Sequence, residues 1–431
     1  MTETYSIIIF LSILFLFLGS GVWIGASLLI TAIVGMFMFT SRPIGDAMAI
    51  TIWSGQSSWT LTALPLFIWM GEILFRTRLS ETLFKGLSPF LGKLPGGLLH
   101  VNIGASAIFA AISGSSAATV ATVGKMSIPE LRKRKYPEKM IIGTLSGAGT
   151  LGLLIPPSIS MIIYGVTVNE SIAQLFMASM IPGIALAACF MTYVIVWALI
   201  SGQKFDEGKI GSFSKILTAL LDLCPVLLLI CAVIGSIYSG IATATEAAAL
   251  GVIGSILLAL YQKSLNFSAF TDSVLGAVKT TAMIMFILMG SSFLSLAMGF
   301  TGLPKALATT IVAWELSPYA LIVILTIFYI VLGMFLDGIS SIVLTMAVIE
   351  PMVRAAGFDM LWFGVYLMIV VEMAQITPPI GFNLFVLQGM TGKDLGYIAR
   401  ASMPMFFVMC AFVGVLVMVP ELATWLPSVL K

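Results

Sequence analysis

Apolar runs of about 20 residues, the length a helix needs to cross a bilayer, follow one another along nearly the whole chain. Two of them are cut near the middle by adjacent prolines, Pro156-Pro157 in "LIPPSIS" and Pro378-Pro379 in "ITPPIGF". A proline removes a backbone donor and clashes with the preceding helical turn, so each pair ends a helix at membrane depth. With 59% hydrophobic and 9% charged residues over 431 positions, no soluble fold could bury the apolar surface. The sequence reads as an all-α polytopic membrane protein.

The two proline pairs are 222 residues apart, and the same offset relates Pro129 to Pro351 and Pro182 to Pro404. Upstream the offset is 219, pairing Gly21 with Gly240, Gly35 with Gly254, and "FIWMG" (67–71) with "FILMG" (286–290). A fixed register of this kind marks an internal duplication, here of about 1–200 and 217–431.

Basic residues set the sidedness. Seventeen of the 21 Lys and Arg lie in five segments, 76–97, 125–139, 201–216, 262–279 and 392–402, which the positive-inside rule assigns to the cytoplasm. The first two flank the apolar run 98–124, so that run must enter the membrane and return as a re-entrant hairpin, its tip at "ISGSSAAT" (112–119). Residues 320–350, centred on "LDGISS" and poor in Lys and Arg, read as a second hairpin entering from the opposite side. The halves are then inverted, with broken helices over 140–168 and 361–391, ten crossings in all and both termini outside the cytoplasm. Inverted repeats with discontinuous helices are the architecture of secondary transporters.

Each cut frees peptide groups that are costly unless paired, and polar residues cluster at both. Ser113, Gly114, Ser115 and Ser116 at the first tip, with Gly149, Pro156 and Ser158 at the first break, form a cage of neutral hard oxygens suited to Na+. Asp337, Gly338, Ser340 and Ser341, with Gln375, Thr377, Pro378 and Gly381, form the matching second cage. Symmetry gives about two Na+. Four helix N-termini, near Ser115, Ser158, Ser340 and Ile380, would point at the bilayer centre and attract a carboxylate. This places Ser115, Ser116, Ser158, Ser340 and Asn383 at the substrate. Ser and Gly on membrane helices also serve close packing. Asp337 is either a cap for the hairpin's second arm, an ion ligand, or both. Glu72, Glu246 and Glu372 receive no role.

Other chemistries find little support. His100 is the only histidine and lies near a basic flank, so it offers no Ser–His pair at depth, and Asp337 has no facing acid. The chain is not read as an enzyme. Cys189, Cys224, Cys231 and Cys410 lie in apolar runs as small hydrophobes. No nucleotide-binding motif is present, nothing marks nucleic acid as a partner, and no basic n-region precedes the first apolar run, so no cleaved signal peptide is expected.

Four stretches, "IPPSISMIIYG" (155–165), "GIATATEAAALGVIG" (240–254), "MFLDGIS" (334–340) and "TPPIGFNLFV" (377–386), together resemble the large membrane (M) subunit of tripartite ATP-independent periplasmic (TRAP) transporters. Ala244 stands where that family would have proline. The resemblance implies Na+-coupled import of an organic acid, such as sialic acid or a C4-dicarboxylate, across the bacterial inner membrane. It also implies a separate small membrane subunit of four helices (Q), a periplasmic substrate-binding protein (P), and an elevator-type ion-transporter-like fold. In that scheme 1–75 and 201–300 are scaffold, 76–97 and 301–319 are arms, and 98–200 and 320–431 form the moving transport domain. The alternative is a stand-alone Na+/dicarboxylate symporter, and a channel is a third reading.

Overall fold

A helix that ends inside an apolar layer leaves orphan N–H and C=O groups that water cannot satisfy. The architecture follows from where this sequence ends its helices. The computed structural model describes residues 2–76, 79–202, 213–300, 317–378 and 381–430. Among the described residues all regular structure is helical.

The first half runs α1 (Thr2–Gly19), α2 (Ile24–Phe39), α3 (Ile44–Gln56), a 3-10 turn (Trp59–Thr62) into α4 (Ala63–Phe75), and α5 (Leu79–Leu91). It continues with α6 (Leu98–Ser113), α7 (Ser116–Lys133), α8 (Glu138–Gly149), the single turn α9 (Leu151–Leu154), α10 (Ile159–Val168) and α11 (Ile172–Ser201). The second half repeats this order. It begins with α12 (Phe213–Tyr238), α13 (Ala244–Tyr261) and α14 (Phe267–Phe300). It resumes with α15 (Pro318–Gly333), α16 (Gly338–Ala355), α17 (Met360–Gln375), α18 (Phe382–Thr391), α19 (Leu395–Met418) and a closing α20 (Glu421–Val429). Five described helices are long and apolar enough to cross a membrane, and seven spans result when each bent pair counts as one. Five shorter apolar helices accompany them, among them Leu98–Ser113, Pro318–Gly333 and Met360–Gln375.

Helices α6 and α7 pack side by side across a two-residue turn, Gly114 and Ser115, and α15 and α16 are joined through 334–337. The first pair covers 98–133 and the second 318–355, where the sequence predicts re-entrant hairpins over 98–124 and 320–350; α16 is by itself long and apolar enough to cross a membrane. The first continues to Lys133 rather than stopping at 124, through Pro129. Charge at Lys125 looks like a loop signal in the sequence. The helix persists because Arg132 and Lys133 occupy its last turn, where cations favour the C-terminal dipole. The broken helix of the first half bends by 41° between Leu154 and Ile159, with a cis Pro156–Pro157 bond.

One feature departs from a strict duplication. The third span of the first half is itself bent by 58°, between Gln56 and Trp59, whereas its counterpart α14 runs 34 residues without interruption. The bend falls at the polar string "GQSS" (55–58), whose residues favour turns over helix interiors. Lys279 lies twelve residues into α14 and lines a cavity of about 1300 Å³ between that helix, the α1–α2 turn and the tip at Asp337 and Ser340. Helix α5 covers most of the first expected arm. The second, 301–319, lies outside the described residues except for 317–319.

Side-chain anchors tie the halves together. The Tyr164 hydroxyl donates to Met360 O at 2.8 Å, Arg354 to Val168 O at 3.1 Å, and Arg132 to Thr391 O at 3.2 Å. Within the second half, Trp362 on α17 donates its indole N–H to Leu416 O on α19 at 3.1 Å. Helices α8 and α19 approach so closely that a Cβ on Gly143 would stand 2.5 Å from Ala401 O. Elsewhere, α2 and α4 pack on α14 and α13, and Ser291 on α14 donates to Val343 O at 2.6 Å. Gly143→Ala is expected to lower the stability of the purified protein by about 1–3 kcal/mol through overpacking, read as a fall in thermal midpoint. Gly235→Ala, with nothing within 4 Å of the added methyl, should cause no loss.

Candidate functional site

The first tip and the first break are in direct contact. Gly114 ends α6 in the left-handed region (φ 56°), a conformation glycine adopts without penalty. A Cβ there would lie 3.1 Å from Ile159 N and 3.3 Å from Pro157 O. One turn before the break, a Cβ on Gly152 would meet Ser115 C, Ser115 O and Ser116 N, all at 2.7 Å. The glycines let two interrupted backbones touch. Ser115 caps α7, its hydroxyl accepting from Ala118 N at 3.5 Å. The Thr119 hydroxyl donates to Ser115 O at 2.8 Å and pairs with Ser113 Oγ at 2.9 Å. Ser158 caps α10 by accepting from Met161 N at 3.3 Å while donating to Leu153 O at 2.5 Å. Ser158 is fully buried and its hydroxyl is committed to these bonds. Gly149 packs against the Val120 side chain, with Ser116 O beyond. All seven residues assigned to the first cage therefore lie in or beside one junction.

The second junction is built differently. Asp337 caps α16: one carboxylate oxygen accepts from Ile339 N at 3.2 Å and Ser340 N at 3.3 Å, and the other from the Ser340 hydroxyl. The cap is thus made, and both oxygens take part in it. Gln375 reaches across from α17, donating its amide N–H to Leu336 O at 3.3 Å, and a Cβ on Gly338 would lie 3.1 Å from a Val371 methyl and 2.9 Å from a Leu153 methyl. The second tip therefore touches the arms of both broken helices. Beyond α17 the chain turns so that Gln375 O and Thr377 O both stand within 3 Å of where a Gly381 Cβ would be. This turn presents carbonyl oxygens where the helix gives out. The Thr377 hydroxyl donates to Met373 O at 2.6 Å. Pro378 is exposed, Pro379 and Ile380 lie outside the described residues, and the fourth helix begins at Phe382 behind Gly381.

Five further groups answer to residues the sequence left open or placed alone. Asn383 is fully buried, and neither its amide oxygen nor its amide nitrogen has a hydrogen-bond partner; the buried Ser341 Oγ has none either. Glu72 pairs with Arg76 at 2.9 Å, and Arg76 donates to Asp272 O at 3.0 Å, a structural clamp between α4 and α14. Glu246 closes a capping box with Thr243 at the start of α13. Glu372 is 1% exposed and sits beside Ser116 of the opposite half, a convergence the sequence could signal only as an acid inside an apolar run. His100 is buried and bonded through Nε2 to Pro95 O at 2.8 Å, a structural role.

This geometry, discontinuous helices meeting tip to break, is found in a chain whose residues 11–422 match the family model for the tripartite ATP-independent periplasmic transporter, DctM component. The chain belongs to this family. A C4-dicarboxylate TRAP transporter large permease protein of Rhodobacter capsulatus is 30% identical over 99% of both chains. An isethionate TRAP transporter permease protein, DctMQ, of Oleidesulfovibrio alaskensis is 29% identical over 94% of this chain and 64% of its own length. Among solved structures, the Alcanivorax borkumensis YdaH transporter shares the fold with TM-score 0.61 at 14% identity, covering 87% of each chain. The DctM-family chain is a multi-pass membrane transporter permease, not an enzyme, and its family works with partner subunits. The capping role of Asp337 is open to test: Asp337→Ala should cost about 0.5–2 kcal/mol in thermal unfolding. Asp337→Asn keeps an acceptor and should stay within a few tenths.

Proposed function

We propose that this DctM-family permease imports an organic acid anion by Na+ symport, the anion being delivered by a periplasmic binding protein. A carboxylate such as sialic acid or a C4-dicarboxylate fits best. The observation that carries this reading is the pair of tip–break junctions, where interrupted helices bring neutral oxygens, a carboxylate and helix N-termini together. Related permeases named for a C4-dicarboxylate and for isethionate support an organic anion as cargo. The DctMQ name supports a small Q-type partner, which we take as a four-helix membrane subunit. The cytoplasmic membrane is the compartment this implies.

The donor sets fit Na+. The first junction offers Ser113, Ser115 and Ser116 oxygens against the Gly149–Ser158 segment; the second offers Asp337, Ser340 and Ser341 against the Gln375–Gly381 turn. Such hard, nearly neutral sets suit a monovalent cation. A bound Na+ would supply positive charge where the backbone gives out and draw tip and break together. What the chain's own residues do follows from that. Ser115 and Asp337 cap the first turns of α7 and α16 and hold the two helix N-termini, with their positive dipole ends, in place at the junctions. There a carboxylate meets helix N-termini, with Asn383 as a further hydrogen-bonding group. Substrate and ion thus share one geometry, and neither site is complete while the tips are loose.

The anchors between the halves make hairpins, broken helices, α11 and α19 one block, to be moved against a scaffold of 1–75 and 201–300. The contact of Gly71 on α4 with Ile112 O and the Ser291–Val343 bond are where the two blocks meet. Reconstituted with its partner subunits, the permease is expected to take up labelled acid only under an inward Na+ gradient. Ser115→Ala and Asp337→Asn should each lower that uptake by about tenfold, the scale of one lost ion-directed hydrogen bond, without loss of assembly. Undiminished uptake in both variants would refute the assigned sites. Uptake by this chain alone, with no binding protein or small subunit, would favour the stand-alone symporter.

A further inference from the structure

The reading above leaves the deepest acid without a task. Glu372 lies three residues before the end of α17, is 1% exposed, and its carboxylate has no partner among the described residues beyond the Ser116 hydroxyl. The one side chain that interacts with it is Ser116, the first residue of α7 in the other half. Charged side chains on neighbouring elements are engaged elsewhere. On α16, Arg354 pairs with Glu350 and Glu170. On α7, Arg132 pairs with Glu138 and Arg134, just past its end, with Glu130. Lys125 stands nine residues along α7 from Ser116, about 13 Å away. The hydroxyls of Tyr164 and Tyr329, on α10 and α15, are bonded to Met360 O and to Thr345.

A second orphan lies nearby in the same half. Helix α18 packs on α7, the Met390 Cε standing 2.9 Å from where a Cβ on Gly124 would be and Arg132 reaching Thr391 O. Its first turn starts beside the end of α17, where a Cβ on Gly381 would stand 2.5 Å from Gln375 O. Asn383, two residues on, carries both amide atoms unpaired. Glu372 and Ser116 thus meet from the two halves of the chain, with Asn383 opening the helix that follows Glu372.

An ionised carboxylate buried without a counter-charge costs several kcal/mol, and no described cationic side chain is placed to offset it. Two carboxylate oxygens, a hydroxyl and an amide oxygen are a hard-donor set, and one negative charge balances one monovalent cation. We propose that Glu372 is the anionic ligand of a Na+ held between the first hairpin tip and the second half's broken helix, with Ser116 and Asn383 supplying neutral oxygens. This rests on the Na+-coupled reading and adds to it. The charge at the first junction comes from the opposite repeat, so a single ion fastens the two repeats to each other. The amide nitrogen of Asn383 stays free to donate to a substrate oxygen.

The test is binding of radiolabelled Na+ to the purified permease, with Na+-dependent thermal stabilisation against choline as a second readout. Glu372→Gln keeps size and shape. It should lose one Na+ per chain or raise the apparent Kd about tenfold or more, and lose part of the Na+-dependent rise in midpoint, while folding normally in choline. Glu372→Asp, which keeps the charge, should shift Kd by less than about tenfold and serves if the Gln variant does not fold. Unchanged Na+ stoichiometry and affinity in Glu372→Gln would overturn the proposal and leave a neutral, packed acid. Weakened binding in Asp337→Asn beside normal binding in Glu372→Gln would sink this proposal alone. No Na+ binding by the wild-type chain would sink the symport reading with it.

Discussion

The constraint on which this structure depends is the absence of water where its helices stop. In a membrane interior each free N–H or C=O must find a partner within the protein, and this chain interrupts its helices at two tips and two breaks. The tips are placed against the breaks. Gly114 and Gly152 remove the side-chain atoms that would hold the first tip off the first break, and Ser115, Ser158 and Asp337 cap the helices that restart. Helix ends that would be liabilities separately become a shared polar centre. Packing therefore serves chemistry directly: the small residues set the backbone spacing, and the spacing decides which oxygens can face one ion.

The two junctions satisfy this constraint unequally. The first is almost entirely self-paired: Ser113, Thr119, Ser115 and Ser158 bond to local backbone or to one another, and Glu372 enters from the other half beside Ser116. The second has its acid in the cap, and at the end of its broken helix Thr377 O accepts from Gly381 N at 3.1 Å. One acid sits near each junction, from different sequence positions, Glu372 in one case and Asp337 in the other.

Much of this was legible in the sequence because proline, glycine and basic residues act locally. The proline pairs located the breaks, and the basic flanks of 98–124 located the first hairpin. Ser-Gly runs located both tips, since all of these signals depend on the residue itself and its immediate neighbours. Arm lengths were less legible: Lys125 reads as a loop boundary, yet the helix carries its charges to Lys133 through dipole and neighbour effects. The bend at 57–58 has no proline and was missed for that reason. What the sequence could not show is which side chains stay unpaired. Glu372 and Asn383 stand apart from other polar residues in apolar runs only by burying a whole head group with little to pair it, a property of the assembled packing. Glu72 and Glu246 look alike in the sequence and turn out to be a clamp and a cap.

The central claim is that interrupted backbones at four segments are organised together by a bound cation. Amide hydrogen exchange of the permease in lipid nanodiscs, with Na+ and with choline, measures this directly. The account requires Na+ to slow exchange in residues 113–118, 153–159, 337–341 and 375–383 and to leave α2 and α13 unaffected. Exchange that is identical with and without Na+ in those four segments, or slowed evenly across the whole chain, would contradict it.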